Sequence, residues 1–352
     1  MRTFSDWPAL HAGVGRLRVL WPGAAMAALV MVSATFMAEH YGGPLLLYAL
    51  LLGLALNFLH EDARCRPGID FCTRTVLRAG VALLGARITL GQVSSLGAGP
   101  FCVAVAGVVS TICLGAWLAG RMQLTRDMGL LSGAAVSICG ASAALAVSAV
   151  MPRSEENERC VLLTVVGVTG FSTLAMVFYP PLALLLQLPD VAAGILLGGT
   201  IHDVAQVVGA GSMISPHAAD VAIIVKLLRV LLLVPVVALL ALYWRGRHRA
   251  RVSPAAPADA VGRAPLVPLF LLAFMGLVLL NSVGGVPVTA GRLLGDLSRV
   301  CLVVAMAALG MKTSLARLVA LGWRPVLLML AETLWLLALF VGYLWLDRAG
   351  HS

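Results

Sequence analysis

One stretch of the sequence concentrates side chains able to bind an ion or carry a proton: Thr200-Ile201-His202-Asp203, with Gln206 three residues beyond, between Gly198-Gly199 and Gly209-Ala210-Gly211. Imidazole changes charge near neutral pH, the carboxyl is a second proton site, and the amide can donate and accept hydrogen bonds. Apolar sequence flanks the stretch, Val191 to Leu197 before and Val221 to Leu242 after. An ionisable group at bilayer depth costs roughly 2.5–3.5 kcal/mol on insertion scales, so such groups persist mainly where they face a cavity or a partner. His202 and Asp203 are adjacent, so on a helix they point about 100° apart. Their alternative role is to cap a helix break. For Gln206 the alternative to binding substrate is an interhelical packing bond.

Two further groups belong with these. Lys226 and Arg229, three residues apart, share a helix face in an apolar segment. They could neutralise a dianion, Arg bidentately; otherwise they pair with Asp203 or Asp220, or snorkel to an interface. Ser137, Cys139, Gly140 and Ser142 lie in Ser132-Gly133-Ala134-Ala135-Val136-Ser137-Ile138-Cys139-Gly140-Ala141-Ser142. They could set hydroxyls and an exposed helix N-terminus before an anion, or form a small-residue packing seam. Arg87 and Lys312 read as interfacial anchors. Arg78 and Glu332 are second-tier in-span charges that pair or line a path, and Asn57 and Asn281 read as caps or interhelical bonds.

These residues need elements that hold them in lipid. The chain is 60% hydrophobic and 12% charged, too little charge for a soluble domain. Its 36 glycines suit close helix packing in lipid. The net charge of +9 does not imply nucleic-acid binding, because the arginines fall in loops between apolar runs, where they set topology. The seven cysteines include no CxxC pair and no metal-ligand spacing, so no disulfide, metal or cofactor is expected. No HExxH, GxSxG or nucleotide fingerprint points to an enzyme.

A span needs about 20 mostly apolar residues. That criterion yields eleven segments: 19–38, 43–59, 74–92, 100–120, 128–150, 160–185, 190–212, 218–243, 265–283, 294–312 and 323–346. With the N-terminus inside, this count keeps Arg64, Arg66, Arg121, Arg126, Arg317, Arg324 and the run Arg245, Arg247, Arg249, Arg251 and Arg263 on the cytoplasmic side. A re-entrant hairpin at 190–212 would export that run, so a full span is expected there. Residues 1–244 form an N-terminal membrane half holding both glycine-broken helices, 245–264 a basic cytoplasmic linker, and 265–352 a C-terminal membrane segment.

The sequence repeats itself. Leu84-Gly85-Ala86-Arg87-Ile88-Thr89-Leu90, Leu96-Gly97 and Pro100 recur as Leu309-Gly310-Met311-Lys312-Thr313-Ser314-Leu315, Leu321-Gly322 and Pro325, with a constant offset (309 − 84 = 325 − 100 = 225). The copies fall seven spans apart and run in opposite directions, as in the inverted repeats of secondary transporters. The two broken segments come out parallel on the same count, which an inverted pair does not allow. A permuted repeat or a miscounted span would be needed.

The Ser132–Ala144 segment with its Ile138-Cys139-Gly140-Ala141-Ser142-Ala143 core, the Gly199–Gln206 run, Val225-Lys226-Leu227-Leu228-Arg229, the Leu309–Leu315 run and Gly322-Trp323-Arg324-Pro325 resemble the sulfate exporter family of bacterial inner-membrane proteins. The resemblance extends from about Gly43 to Leu346. That family is distantly similar to bile-acid/sodium symporters and sodium/proton antiporters. The resemblance therefore implies inverted repeats, a panel domain, a core domain with crossing discontinuous helices, and an elevator-like cycle. No paired-Asp sodium site is present.

The expectation is an all-α polytopic membrane protein of about 11 transmembrane helices, multi-pass in the bacterial inner membrane with a cytoplasmic N-terminus. It would export a small inorganic anion, sulfate or a related oxyanion, by alternating access with proton coupling. A cation/proton antiporter or organic-acid carrier on the same fold is the alternative. Substrate-binding residues would be Ser137, Cys139, Gly140, Ser142, His202, Asp203, Gln206, Lys226 and Arg229. The expected partners are the anion, the bilayer and a second copy of the chain in a homodimer, with no nucleic acid.

Overall fold

The computed structural model describes residues 8–152, 154–249, 269–314 and 322–351, which are helical with no strand among them. Most of the basic linker and the Leu315–Leu321 part of the second repeat copy lie outside the described residues. The helices are α1 (Pro8–Tyr41), α2 (Leu45–Ala55), α3 (Arg66–Phe71), α4 (Leu77–Leu84), α5 (Leu90–Ser95), α6 (Gly99–Arg121), α7 (Arg126–Ser137), α8 (Ala141–Ser148), α9 (Glu155–Leu185), α10 (Asp190–Thr200), α11 (Val204–Ser212), α12 (Pro216–Leu231), α13 (Leu233–Arg249), α14 (Leu269–Ser282), α15 (Val288–Lys312) and α16 (Trp323–His351). Among the described residues, six helical stretches are long and apolar enough to cross a membrane: Arg18–Tyr41, Gly99–Arg121, Glu155–Leu185, Pro216–Arg245, Thr289–Lys312 and Trp323–Ala349. Apolar helices of 10–17 residues add Leu45–Ala55, Asp190–Thr200 and Leu269–Ser282.

The helices form two packed bodies. In one, α15 lies against α2, α4 and α1, with α14 on α4; in the other, α6, α7, α9, α10, α12 and α16 pack around each other. The helix α11 belongs to the second body and also touches α15, α2 and α4. Residues 265–352 are thus shared between the bodies, α14 and α15 in one and α16 in the other. Glycines let backbones approach: a Cβ on Gly53 would lie 2.2 Å from Ala307 O, and one on Gly129 2.2 Å from Gly115 O. In lipid this close packing is a principal source of helix association.

The two broken segments fold back on themselves. Asp190 Oδ2 accepts from Ser215 Oγ at 2.6 Å, so both ends of α10–α11 lie at one face of the bundle. Pairing of Gly194 with Ala218 and Gly198 with Ala222 makes α10 parallel to α12, while Gly211 against Ala219 makes α11 antiparallel to it. Residues 190–212 are therefore a re-entrant hairpin, which corrects the expected full span. The other segment behaves alike. Thr125 Oγ1 lies 3.9 Å from Cys160 Sγ and Thr164 Oγ1 3.7 Å from Met128 Sδ, so α7 runs parallel to α9. Both α7 and α8 pack on α9, and the link 149–154 is too short to re-cross the bundle.

The hairpins enter from opposite faces. The segment α12–α13 begins beside Asp190 and ends where Trp244 Nε1 donates to Asp127 Oδ1 at 3.0 Å, at the base of the 126–148 hairpin. Two hairpins cancel in the topology count, so every later segment keeps the orientation that eleven full spans would have given it. The apparent parallelism of the broken segments came from counting each as a crossing. Short polar caps set the hairpin bases: Thr125 Oγ1 accepts from Met128 N, Ser154 Oγ from Asn157 N and Ser215 Oγ from Ala218 N, with Pro216 at the first helical position.

Candidate functional site

A hairpin tip inside a membrane has a backbone problem. The last four carbonyls of α7 and α10 have no partner within their helices, and each unsatisfied group in hydrocarbon costs several kcal/mol. Two side chains of α12 solve it for both hairpins at once. Lys226 Nζ donates to Ile138 O (2.7 Å) and Ile201 O (2.9 Å), one carbonyl from each tip. Arg229 donates from Nε to Ser137 O (2.7 Å), from Nη2 to Val136 O (2.9 Å), and from Nη1 to Gly199 O (2.7 Å), Gly198 O (3.2 Å) and Ile201 O (3.3 Å). Both side chains are fully buried, and neither forms an ion pair among the described residues. Two basic side chains thus sit at two converging helix C-termini, where the macrodipole is negative and favours their charged forms.

His202 completes the knot. Val136 O can only accept, so His202 Nδ1, 3.0 Å away, carries the hydrogen; Nε2 of the neutral ring then accepts from Thr333 Oγ1 at 3.1 Å. The ring is fully buried and joins the 190–212 hairpin to the 126–148 hairpin and to α16. Asp203 caps α11, its Oδ1 accepting from Ala205 N at 2.8 Å, while its own N–H donates to Ser172 Oγ at 3.0 Å. Gln206 Nε2 donates to Thr173 Oγ1 at 2.9 Å, and its buried Oε1 has no partner. Ser137 Oγ is turned back to Gly133 O (2.6 Å), and Ser142 Oγ lies 3.0 Å from both Cys139 O and Cys139 Sγ.

All nine residues singled out in the sequence gather around these two tips or their immediate supports. Their surroundings differ, however. His202, Lys226, Arg229, Gln206, Ser137 and Cys139 are buried, whereas Ser142 is exposed and Asp203 and Val204 are partly so. Lys226 and Arg229 draw the two tips together, and Ser142, Asp203 and Val204 mark the flank where α8 and α11 begin. A Cβ built on Gly140 would lie 3.6–3.8 Å from His202 Cβ, O and C, which places the start of α8 beside the start of α11. Asp203 caps α11, but no side chain caps α8. A cleft of about 80 Å³ lies elsewhere, between α5 and the α10–α12 pair, lined by residues including Gln92, His217 and Asp220.

Ser172, Thr173 and Thr333 were not picked out from the sequence. Each is a single hydroxyl in an apolar helix, with no spacing to mark it. Of the second-tier residues, Arg87 and Arg78 are exposed. Lys312 pairs with Asp70 at 2.6 Å beside His60, and also acts electrostatically on Asp203 across the seam between the two bodies.

The reversal at Gly140 has φ +65° and ψ −129°, a region closed to L side chains. A Cβ there meets only ordinary contacts, so the cost of Gly140→Ala is backbone strain alone. We expect about 1–3 kcal/mol of destabilisation, read as a lower melting temperature in detergent; an unchanged melt would show that the tip is free to relax.

Fold and site together define a polytopic helical membrane protein built around two opposed re-entrant hairpins whose tips share one pair of buried basic side chains. The chain belongs to the UPF0324 membrane protein family. It matches the family described as Conserved hypothetical protein 698 over residues 20–329. It is 49% identical over 331 residues to the UPF0324 membrane protein TauZ of Paracoccus denitrificans, covering 93% of this chain and 95% of the relative. Identity to a UPF0324 membrane protein of Chlorobaculum tepidum is 48% over 326 residues (92% and 88%), and to one of Rhizobium meliloti 46% over 331 residues (94% of each). No solved structure matches the chain.

Proposed function

We propose that the protein is a secondary active transporter that exports a small inorganic anion, sulfate or a related oxyanion, across the bacterial inner membrane. The observation that carries this reading is the charge and dipole layout at the hairpin tips. Lys226 and Arg229 place two buried positive charges there against the single carboxylate of Asp203, and both hydrogen-bond the backbone rather than a carboxylate. The start of α8, with its uncapped N–H groups and exposed Ser142, is the direction in which that positive field reaches an accessible surface. Because the donors of Lys226 and Arg229 are engaged with carbonyls, they act on the anion through the field. The backbone at Ala141–Ala143 and the Ser142 hydroxyl supply the direct bonds. Asp203, partly exposed at the neighbouring N-terminus, is the group whose protonation changes the field felt by the substrate.

Opposed hairpins at one level suit alternating access, in which the body carrying both tips shifts against the body containing α15. The positive-inside rule places the base of the 126–148 hairpin, with Arg121, Arg126, Arg245, Arg247 and Arg249 near it, in the cytoplasm, and the N-terminus with it. This is a carrier's architecture, and we assign it no enzymatic step, cofactor or nucleic-acid partner.

The test is flux of labelled sulfate from proteoliposomes under an imposed pH gradient. Wild-type protein is expected to move it. Asp203→Asn keeps the cap, since Asn caps as well as Asp, and is expected to weaken the dependence on pH. Ser142→Ala should lower flux on the order of tenfold, the worth of one charge-type hydrogen bond of about 1.4 kcal/mol. No movement of sulfate by folded wild-type protein would overturn the assignment. One observation favours the alternative of a cation/proton antiporter: Asp203, a carboxyl-bearing residue, is partly exposed at the start of α11. Sodium- or potassium-driven proton movement without anion flux would select it.

A further inference from the structure

Glu332 lies on α16 next to Thr333, the residue that holds His202. Its side chain is fully buried. One oxygen, Oε1, lies 2.7 Å from Ser132 Oγ on α7; the other, Oε2, is buried and has no hydrogen-bond partner. The carboxyl is packed tightly as well: a Cβ on Gly115 of α6 would fall 2.3 Å from Oε1. Glu332 is therefore wedged where α6, α7 and α16 meet, and Gly115 and Gly129 leave the space for it.

The groups around it fix its chemistry. The elements packed on α16 are α6, α7, α9 and α10. Their charged residues sit at helix ends: Arg121 on α6, Arg126 and Asp127 on α7, the 155–159 cluster on α9 and Asp190 on α10. None of them bonds to Glu332. The adjoining Thr333 meets His202, and that ring is already held at both nitrogens. A carboxylate at this point would be a bare buried charge with one hydroxyl partner, which is too costly to persist. As a carboxylic acid it can donate from Oε1 to Ser132 Oγ, whose own hydrogen can turn to Gly129 O at 3.4 Å, leaving only the carbonyl oxygen Oε2 unpaired. Thr111 Oγ1, one turn from Gly115 on the same face of α6, is a second buried polar atom without a partner, so this seam holds unused hydrogen-bonding capacity in two places.

We propose that Glu332 is a proton-binding site of the transport body, occupied in this conformation and emptied when water reaches the seam of α6, α7 and α16. On release, the O–H bond of Glu332 breaks and its proton passes to entering water as hydronium, leaving the carboxylate solvated. Glu332–Ser132 ties α16 to the 126–148 hairpin, and Thr333–His202 ties it to the 190–212 hairpin. Two consecutive residues of one helix therefore hold both hairpins, and loading the proton locks the first of those ties. This deepens the transport reading above by placing a coupling proton at a site separate from Asp203.

Infrared spectroscopy of lipid-reconstituted protein tests occupancy without requiring transport. Wild type is expected to show a protonated-carboxyl C=O band at neutral pH that is missing from Glu332→Gln, an isosteric change whose fold is checked by its melting temperature. Should Glu332→Gln fail to fold, Glu332→Asp is the second variant: its shortened carboxyl shifts the band rather than deleting it. Identical bands in wild type and a folded variant would overturn the proposal. Flux separates this inference from the function itself. Glu332→Gln is expected to keep sulfate exchange while losing at least tenfold of the proton movement that accompanies net export, reported by a trapped pH dye. Unchanged proton movement would also overturn the proposal. If wild type moves no sulfate the anion assignment fails, while the infrared band still decides whether Glu332 holds a proton.

Discussion

Replacing Arg229 by alanine should open both hairpin tips. The guanidinium meets five carbonyls, of Val136, Ser137, Gly198, Gly199 and Ile201, and in Arg229→Ala three of these, Ser137, Gly198 and Gly199, lose the side-chain donor they now share. A buried acceptor left without a donor costs about 1–3 kcal/mol, so the summed loss rivals the whole stability of an ordinary domain. Lysine is no substitute, because its three donors on a point charge cannot fork across two chain ends as a planar guanidinium does. The readout lies in the protein itself: Cys139, at the tip of the 126–148 hairpin, is a free and buried thiol. In a background where Cys139 is the sole cysteine, Arg229→Ala should turn a protected thiol into one that a membrane-permeant maleimide labels readily, and should lower the melting temperature sharply. Labelling as slow as in the parent would mean the tips stand without the guanidinium.

Adding a single methyl group at Gly198 is the second large effect. A Cβ there would fall 2.2 Å from Ala222 O and 2.9–3.0 Å from the carbonyl carbon and Cα of the same residue. These are backbone atoms of α12, which cannot rotate aside as a side chain can. The helix α12 also carries Lys226 one turn further on, so pushing α10 outward pulls Ile201 O from its donor. Overpacking costs typically 1–3 kcal/mol, and the displaced cap adds to it. Gly198→Ala should therefore be among the most damaging small substitutions in the protein, by melting temperature and by yield of folded protein. Gly120→Ala provides the control: nothing lies within 4 Å of its Cβ position, and in an exposed helical site alanine is favoured by up to about 1 kcal/mol. If both variants melted alike, the close approach of α10 and α12 would not be a source of stability.

Three separate pieces of sequence, Ile138–Ser142, Thr200–Gln206 and Lys226–Arg229, were legible as one locality because polar and ionisable groups are too costly in lipid to be scattered at random. The way they meet was not legible. Twenty-three apolar residues interrupted by glycine read the same whether the chain crosses or turns back at 138–140 or 201–203, since hydropathy records depth and not direction. Direction is set by pairings such as Asp190 with Ser215, which join side chains distant in sequence. Lys226 and Arg229 invited comparison with acidic partners, and the acceptors they use are carbonyls, which every residue has and no sequence advertises. Thr333 and Ser172 were passed over for a related reason, because a lone hydroxyl in a helix is ordinary until its neighbour is known.

One pair of side chains on α12 finishes two structures made earlier in the chain. During synthesis the 126–148 hairpin emerges some ninety residues before Arg229, so each tip leaves the ribosome with bare chain ends and must wait for its clasp. A nascent chain stopped at residue 215 would hold both hairpins and neither fastener. Assembly of the body that carries both tips is therefore ordered by translation, with α12 as the segment that ends the waiting.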